Sequence, residues 1–255
     1  LPRSSPFASR LAQALAPFAI GGAILSTSPQ TRAQSGAATE SPAPARVGQL
    51  AKADKKSQSD AARGKAIAQR VQRYYGKRKD FQATFAQRYT YAALGRVDEK
   101  TGVVQVKKPG LLRWEYAGKD KKLLVLDGKA FWQWSPEDNQ VQVKRDVRGE
   151  QLSSAFTFLW GKGDLLGEFS PKAVALPEGL PAGDAVELEP KKPGGNVQRI
   201  IFSVDATGRV LASVVTDGSG NENRLIFSDA KIDQKLPDST FQFTPPAGAN
   251  VQELP

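Results

Sequence analysis

Phe81-Gln82-Ala83-Thr84-Phe85-Ala86-Gln87-Arg88-Tyr89-Thr90-Tyr91 decides the fold class. Phe81, Ala83, Phe85, Tyr89 and Tyr91 fall on one side of an extended chain; Gln82, Thr84, Arg88 and Thr90 fall on the other. Successive side chains of a strand point to opposite sides, so this alternation marks a sheet with one apolar and one wet face. The pattern returns along the chain. Leu112, Trp114 and Tyr116 alternate with Leu111, Arg113 and Glu115, and Leu123 and Val125 follow. Trp132 and Trp134 flank Gln133, Phe202 and Val204 flank Ser203, Leu225 and Phe227 alternate with Arg224 and Ser228, and Phe241 and Phe243 flank Gln242.

Turn-forming clusters separate these runs: Lys108-Pro109-Gly110, Asp127-Gly128-Lys129, Pro136-Glu137-Asp138-Asn139, Ala206-Thr207-Gly208 and Asp217-Gly218-Ser219-Gly220. Short strands joined by such turns imply an antiparallel meander. No alternation of strands with crossover helices appears, which excludes a doubly wound parallel sheet. One helix is expected before the strands: Ile67, Val71, Tyr74 and Tyr75 recur at helical spacing, with Asp60 as N-cap and Gly76 as stop. A second non-alternating stretch, 149–167, places Leu152, Phe156 and Leu159 on one helical face between glycines and adds a further turn at Leu165 and Leu166.

Residues 1–33 read as an export signal, with Arg3 and Arg10 ahead of an apolar run from Leu11 to Leu25. Residues 34–60, rich in Ala, Ser, Gln, Pro and Lys, read as a disordered linker. The folded domain is expected over 61–255.

Composition removes whole classes of chemistry. The 255-residue chain contains no Cys, no His and no Met. Ser-His-Asp and Cys-His catalysis are therefore impossible, and the commonest metal ligands are missing, so no cofactor and no metal site are expected. Glu115 and Asp127 are the carboxylates one would propose as acids, but their simpler readings are a wet-face strand residue and a turn residue. The net charge of +10 is spread along the chain apart from short clusters such as Lys77-Arg78-Lys79, which does not describe a nucleic-acid footprint. Hydrophobic residues at 40% suffice for a sizeable core.

Several segments together resemble the outer-membrane lipoprotein carrier (LolA) family. They are Phe81–Gln87, the basic Pro-Gly segment and aromatic strand Val106–Tyr116, Asp127-Gly128-Lys129-Ala130-Phe131-Trp132-Gln133-Trp134-Ser135-Pro136, Asn139-Gln140-Val141, and the closing Phe241-Gln242-Phe243-Thr244-Pro245-Pro246-Ala247-Gly248. The resemblance spans roughly 61–255. It implies a mainly β fold, an unclosed antiparallel β-barrel (half-barrel) with an N-terminal helix and a short helical lid over a hydrophobic cavity. The cavity would be lined by Phe81, Phe85, Tyr89, Leu112, Trp114, Tyr116, Leu123, Val125, Trp132, Trp134, Phe202, Leu225 and Phe227. Leu152, Phe156 and Leu159 would form the lid. Where many family members carry Arg before the Pro of the basic segment, this chain has Lys108, which makes it the candidate lid latch.

The implied role is that of a monomeric periplasmic carrier, not an enzyme. Its cargo would be acylated lipoproteins, its donor an inner-membrane ABC transporter and its acceptor an outer-membrane receptor. The alternative is a half-barrel domain that senses or binds lipids or lipoproteins without transferring them. The receptor of the same pathway would need a lipidated N-terminal Cys, and the chain has no Cys.

Overall fold

The structure, a computed structural model, describes residues 44–147, 164–192 and 196–254, with side chains from Lys55 onward. The elements are α1 (Pro44–Gly76), β1 (Asp80–Tyr91), β2 (Arg96–Lys107), β3 (Leu111–Tyr116), β4 (Lys122–Leu126), β5 (Ala130–Ser135) and β6 (Gln140–Arg145). Then come α2 (Leu165–Glu168), β7 (Phe169–Val174), β8 (Asp184–Pro190), β9 (Val197–Val204), β10 (Val210–Asp217), β11 (Glu222–Ile232), a turn of 3-10 helix at Asp238–Phe241 and β12 (Asn250–Glu253). The export signal and the lid residues Leu152, Phe156 and Leu159 lie outside the described residues. Among the described residues no helix is long and apolar enough to cross a membrane.

Among the described residues all twelve strands belong to one sheet, in the order β12-β6-β5-β4-β3-β2-β1-β11-β10-β9-β8-β7. Two meanders, β1 to β6 and β7 to β11, are joined where β1 pairs with β11, Phe85 opposite Phe227 and Gln87 opposite Leu225. The sheet is unclosed, ending at β12 and β7. All pairings are antiparallel except the last, in which β12 runs parallel to β6. The meander expected from the turn clusters is thus present, and each of the five turn clusters joins consecutive strands.

Helix α1 covers one face of this sheet. Its Ile67, Ala68, Val71 and Tyr75 join a single apolar cluster with Phe81, Phe85, Leu112, Trp114, Phe202 and Leu225. We call the α1 side of the sheet its inner face. Close approach is possible because residue 64 is Gly: a Cβ there would sit 2.5 Å from the Lys172 Cα on the edge strand β7. The helix therefore also shields an edge that would otherwise offer unpaired backbone groups.

Two expectations are corrected. The helix begins at Pro44, well ahead of Asp60, so residues 44–60 of the segment read as linker are helical. Its Ala, Lys and Gln content suits a helix as well as a linker, because these residues are good helix formers. Phe241 and Phe243 do not flank Gln242 in a strand; the segment is a 3-10 turn running into extended chain. Pro237 precedes it and Pro245-Pro246 follow, and proline cannot donate to a ladder.

Candidate functional site

The inner face is aromatic at its centre. Phe85 and Trp114 lie with ring centroids 4.6 Å apart, and the edge of Tyr116 meets Phe85 at 5.3 Å. Phe81 bridges outward to Phe227 at 6.4 Å and to Tyr75 of α1 at 6.1 Å. Cross-strand register fixes this grouping. Phe85 stands opposite Gly102, which stands opposite Tyr116, and Trp114 stands opposite Leu124. On the second meander Leu225 pairs with Ser213, Ser213 with Phe202 and Phe202 with Val186, so these side chains continue the same face. Of the residues expected to line a cavity, Phe81, Phe85, Leu112, Trp114, Tyr116, Phe202, Leu225 and Phe227 are brought together here. Tyr89 is buried further along β1, stacked edge-on against Tyr91 at 4.7 Å.

Four expected lining residues lie elsewhere. Register pairs Val125 with Arg113 and with Trp132, and Leu123 with Glu115 and with Trp134. Arg113 and Glu115 alternate with Trp114, so Leu123, Val125, Trp132 and Trp134 occupy the outer face. The residues of β4 and β5 that do face α1 are Leu124, Leu126 and Phe131. The error has a physical source. In β4 every residue from Leu123 to Leu126 is buried, so alternation carries no information about side. In β5 the alternation of Trp132 and Trp134 about Gln133 puts both indoles on one face without saying which face it is. Their cover is the C-terminal segment, where Phe243 packs on Trp132 at 5.7 Å and on Trp134 at 6.0 Å, and β12 then pairs with β6. The Trp132 Nε1–H donates to Asp127 at 2.8 Å.

Polar groups hold α1 over the inner face along its C-terminal half. Arg70 forms an ion pair with Asp184 at 2.5 Å. The Tyr75 hydroxyl accepts the Val210 N–H at 3.2 Å, and the Lys108 Nζ donates to the Tyr75 carbonyl oxygen. Lys108 thus reaches the last turn of α1, where carbonyls lack intrahelical donors and a cation complements the helix dipole. Partial burial lowers the Lys108 pKa, with the Asp233 carboxylate opposing that shift. Beyond the helix end, Asp233 accepts from the Lys79 N–H at 2.7 Å and from Arg78 at 3.2 Å. The Lys79 hydrogen bond is the largest influence holding the Asp233 carboxyl below its ordinary range.

Sequence reasoning passed over three contributors. Gln87 continues the inward series of β1; it is buried and donates to Asn223 at 2.9 Å. Asp80 is buried and accepts the backbone N–H groups of Gln234, Lys235 and Leu236, which fixes the chain leaving β11. Gly102 gave no signal beyond its being glycine. Among the described residues no cluster of metal-ligating side chains occurs.

A family model described as outer membrane lipoprotein carrier protein LolA matches residues 76–244. A protein of Methylibium petroleiphilum named outer-membrane lipoprotein carrier protein is 33% identical over 174 residues, covering 68% of this chain and 82% of that one. Proteins of the same name from Dechloromonas aromatica and Chromobacterium violaceum are each 30% identical, covering 68% and 74% of this chain and 81% and 88% of their own.

Proposed function

The chain belongs to the LolA family of outer-membrane lipoprotein carrier proteins, and from that premise we propose that its inner face receives the acyl chains of lipoproteins for carriage across the periplasm. The observation that carries the reading is that α1 covers the aromatic face, and in this reading it is a removable cover. Ile67, Val71 and Tyr75 occupy the aromatic face, yet the helix is joined to the sheet by side-chain contacts and not by strand pairing. Acyl chains and the apolar stripe of α1 then compete for the same surface.

The energetics favour such a device. Each buried CH₂ stabilises by about 0.8 kcal/mol, so several long acyl chains are held in membranes too firmly to cross water unaided. A carrier must offer a comparable surface without trapping the cargo. A cover that returns when cargo leaves lowers net affinity, because a ligand shifts an equilibrium only by its differential affinity for the two states.

In this reading the protein is a binding chaperone, not a catalyst, and acts as a monomer. An inner-membrane ABC transporter supplies the lipoprotein and an outer-membrane receptor accepts it. Leu152, Phe156 and Leu159 act as a lid over the cavity. Lys108 is the latch, closing on the carbonyl of Tyr75.

The test is release of cargo. Purified protein is added to spheroplasts that are synthesising a labelled outer-membrane lipoprotein. The lipoprotein should appear in the supernatant in a complex with the carrier. Retention of the label on the membrane at every carrier concentration would refute the proposal.

A further inference from the structure

Helix α1 and the β9–β10 turn line an open groove of about 740 Å³. Five cationic side chains line it, Arg70, Arg73, Lys77, Arg78 and Arg209, against one carboxylate, Asp205. Four of the cations lie within nine residues around the C-terminal end of α1, and the fold adds Arg209 by docking the turn against the helix. Gly208 makes the docking possible. Its φ is +103°, and a Cβ there would lie 2.5 Å from the Arg70 carbonyl oxygen.

Carboxylates answer only part of this charge. Arg70 pairs with Asp184 at 2.5 Å, Arg78 with Asp233 at 3.2 Å and Arg209 with Asp205 at 3.0 Å. Among the described residues, Arg73 and Lys77 have no ion-pair partner. The end of α1 accounts for some of the excess, since a helix C-terminus carries roughly half a negative charge. It does not account for two further features. The Nε atoms of Arg70 and Arg78 are buried without an acceptor. The Arg78 guanidinium also lies over the Tyr74 ring at 4.8 Å, which holds it in place at the groove wall.

We propose that this groove binds a phosphate group, as the headgroup of an anionic phospholipid or as free phosphate. A phosphate brings several acceptor oxygens to guanidinium forks, whose planar geometry suits bidentate contact. Arg73 and Lys77 supply the charge that the protein leaves unneutralised. The groove is wider than one phosphate, so a substituent on the phosphate is accommodated. None of the five cations belongs to the aromatic cluster, and the groove is complete when α1 lies against the sheet.

The test uses the intact protein, the Arg73→Gln/Lys77→Gln variant and a control, Lys119→Gln/Lys121→Gln, that removes the same charge from the β3–β4 turn. One arm measures co-flotation with phosphatidylglycerol vesicles against phosphatidylcholine vesicles; the other titrates inorganic phosphate by calorimetry. Saturable binding in either arm, weakened about tenfold or more in the groove variant and unchanged in the control, is the expected result. The arm in which it occurs identifies the source of the phosphate. Absence of binding in both arms, or equal weakening in both variants, overturns the proposal.

Discussion

Phe85 and Gly102 face each other across the β1–β2 ladder, and the Phe85 ring fills the space that a side chain at residue 102 would need. A Cβ on residue 102 would lie 2.6 Å from the Phe85 Cζ and would also strike the Glu115 carbonyl oxygen of the neighbouring strand. The missing side chain lets the ring lie flat against β2 and reach both Trp114 and Tyr116. One strand position therefore sets the packing of the aromatic centre.

Gly102→Ala is accordingly expected to destabilise the fold by about 1–3 kcal/mol, the usual range for overpacking a filled core. Urea unfolding followed by tryptophan fluorescence measures this. A midpoint equal to the parent's would mean that the sheet relaxes there freely.

The Lys108 contact gives a second prediction. Lys108→Ala removes the donor to the Tyr75 carbonyl and leaves the rest of α1 attached. The group is only partly buried, so solvent screening reduces its worth, and a stability loss of about 1 kcal/mol is expected. The larger effect should be on the inner face. With its end untied, α1 lifts more often, and a fluorescent apolar probe should bind the cargo-free variant more strongly than the parent. Unchanged probe binding would assign Lys108 a purely structural role at the turn.

The division between inner and outer faces is open to a direct check. In the carrier reading, a photoreactive phenylalanine analogue placed at Phe227 should cross-link to lipoprotein during loading. The same analogue at Trp132 should not, because that position lies under the C-terminal segment on the outer face. Cross-linking from position 132 at the level seen from 227 would put cargo on the wrong side of the sheet for this proposal.

What the sequence made legible follows from which signals are local. Phe81–Tyr91 and Leu111–Tyr116 are half-buried strands, and their alternation states the inward side correctly. The turn clusters locate the hairpins because Gly, Asn and Asp act through backbone conformation alone. Leu123–Leu126 is buried on both sides, so its period-two signal vanishes and the faces of β4 and β5 become undecidable without the register. The seat of Trp132 depends on Phe243, more than a hundred residues away in sequence, and no local pattern carries that contact. The basic groove was equally invisible, because Lys77-Arg78-Lys79 looks solvated until Arg70, Arg73 and Arg209 are brought alongside.

Alkaline titration provides a final prediction, carried by all five tyrosines. Burial is the leading cause of a raised phenol pKa at Tyr74, Tyr75, Tyr89, Tyr91 and Tyr116. Tyr91 is pushed up to about 12, with the Asp98 carboxylate adding to the effect of burial. In the unfolded chain these phenols ionise near their ordinary value of 10.0. The sign follows directly: above pH 10 the unfolded state has lost protons that the folded state still holds, so stability falls as pH rises. The loss begins near pH 10 and for Tyr91 is complete once pH passes about 12. Below pH 10 these groups are protonated in both states and contribute no pH dependence. The urea midpoint should therefore decline steeply above pH 10. Phenolate absorbance should lag behind that of a free tyrosine standard and then rise together with unfolding. Tyr75→Phe, which removes one buried phenol at the cost of its bond from the Val210 N–H, should be less stable at pH 8 yet lose less stability between pH 10 and pH 12. Phenolate absorbance that tracks the free standard while the fold persists would show that these hydroxyls reach solvent, and the closed arrangement of α1 on the sheet, with Tyr75 buried between them, would have to be abandoned.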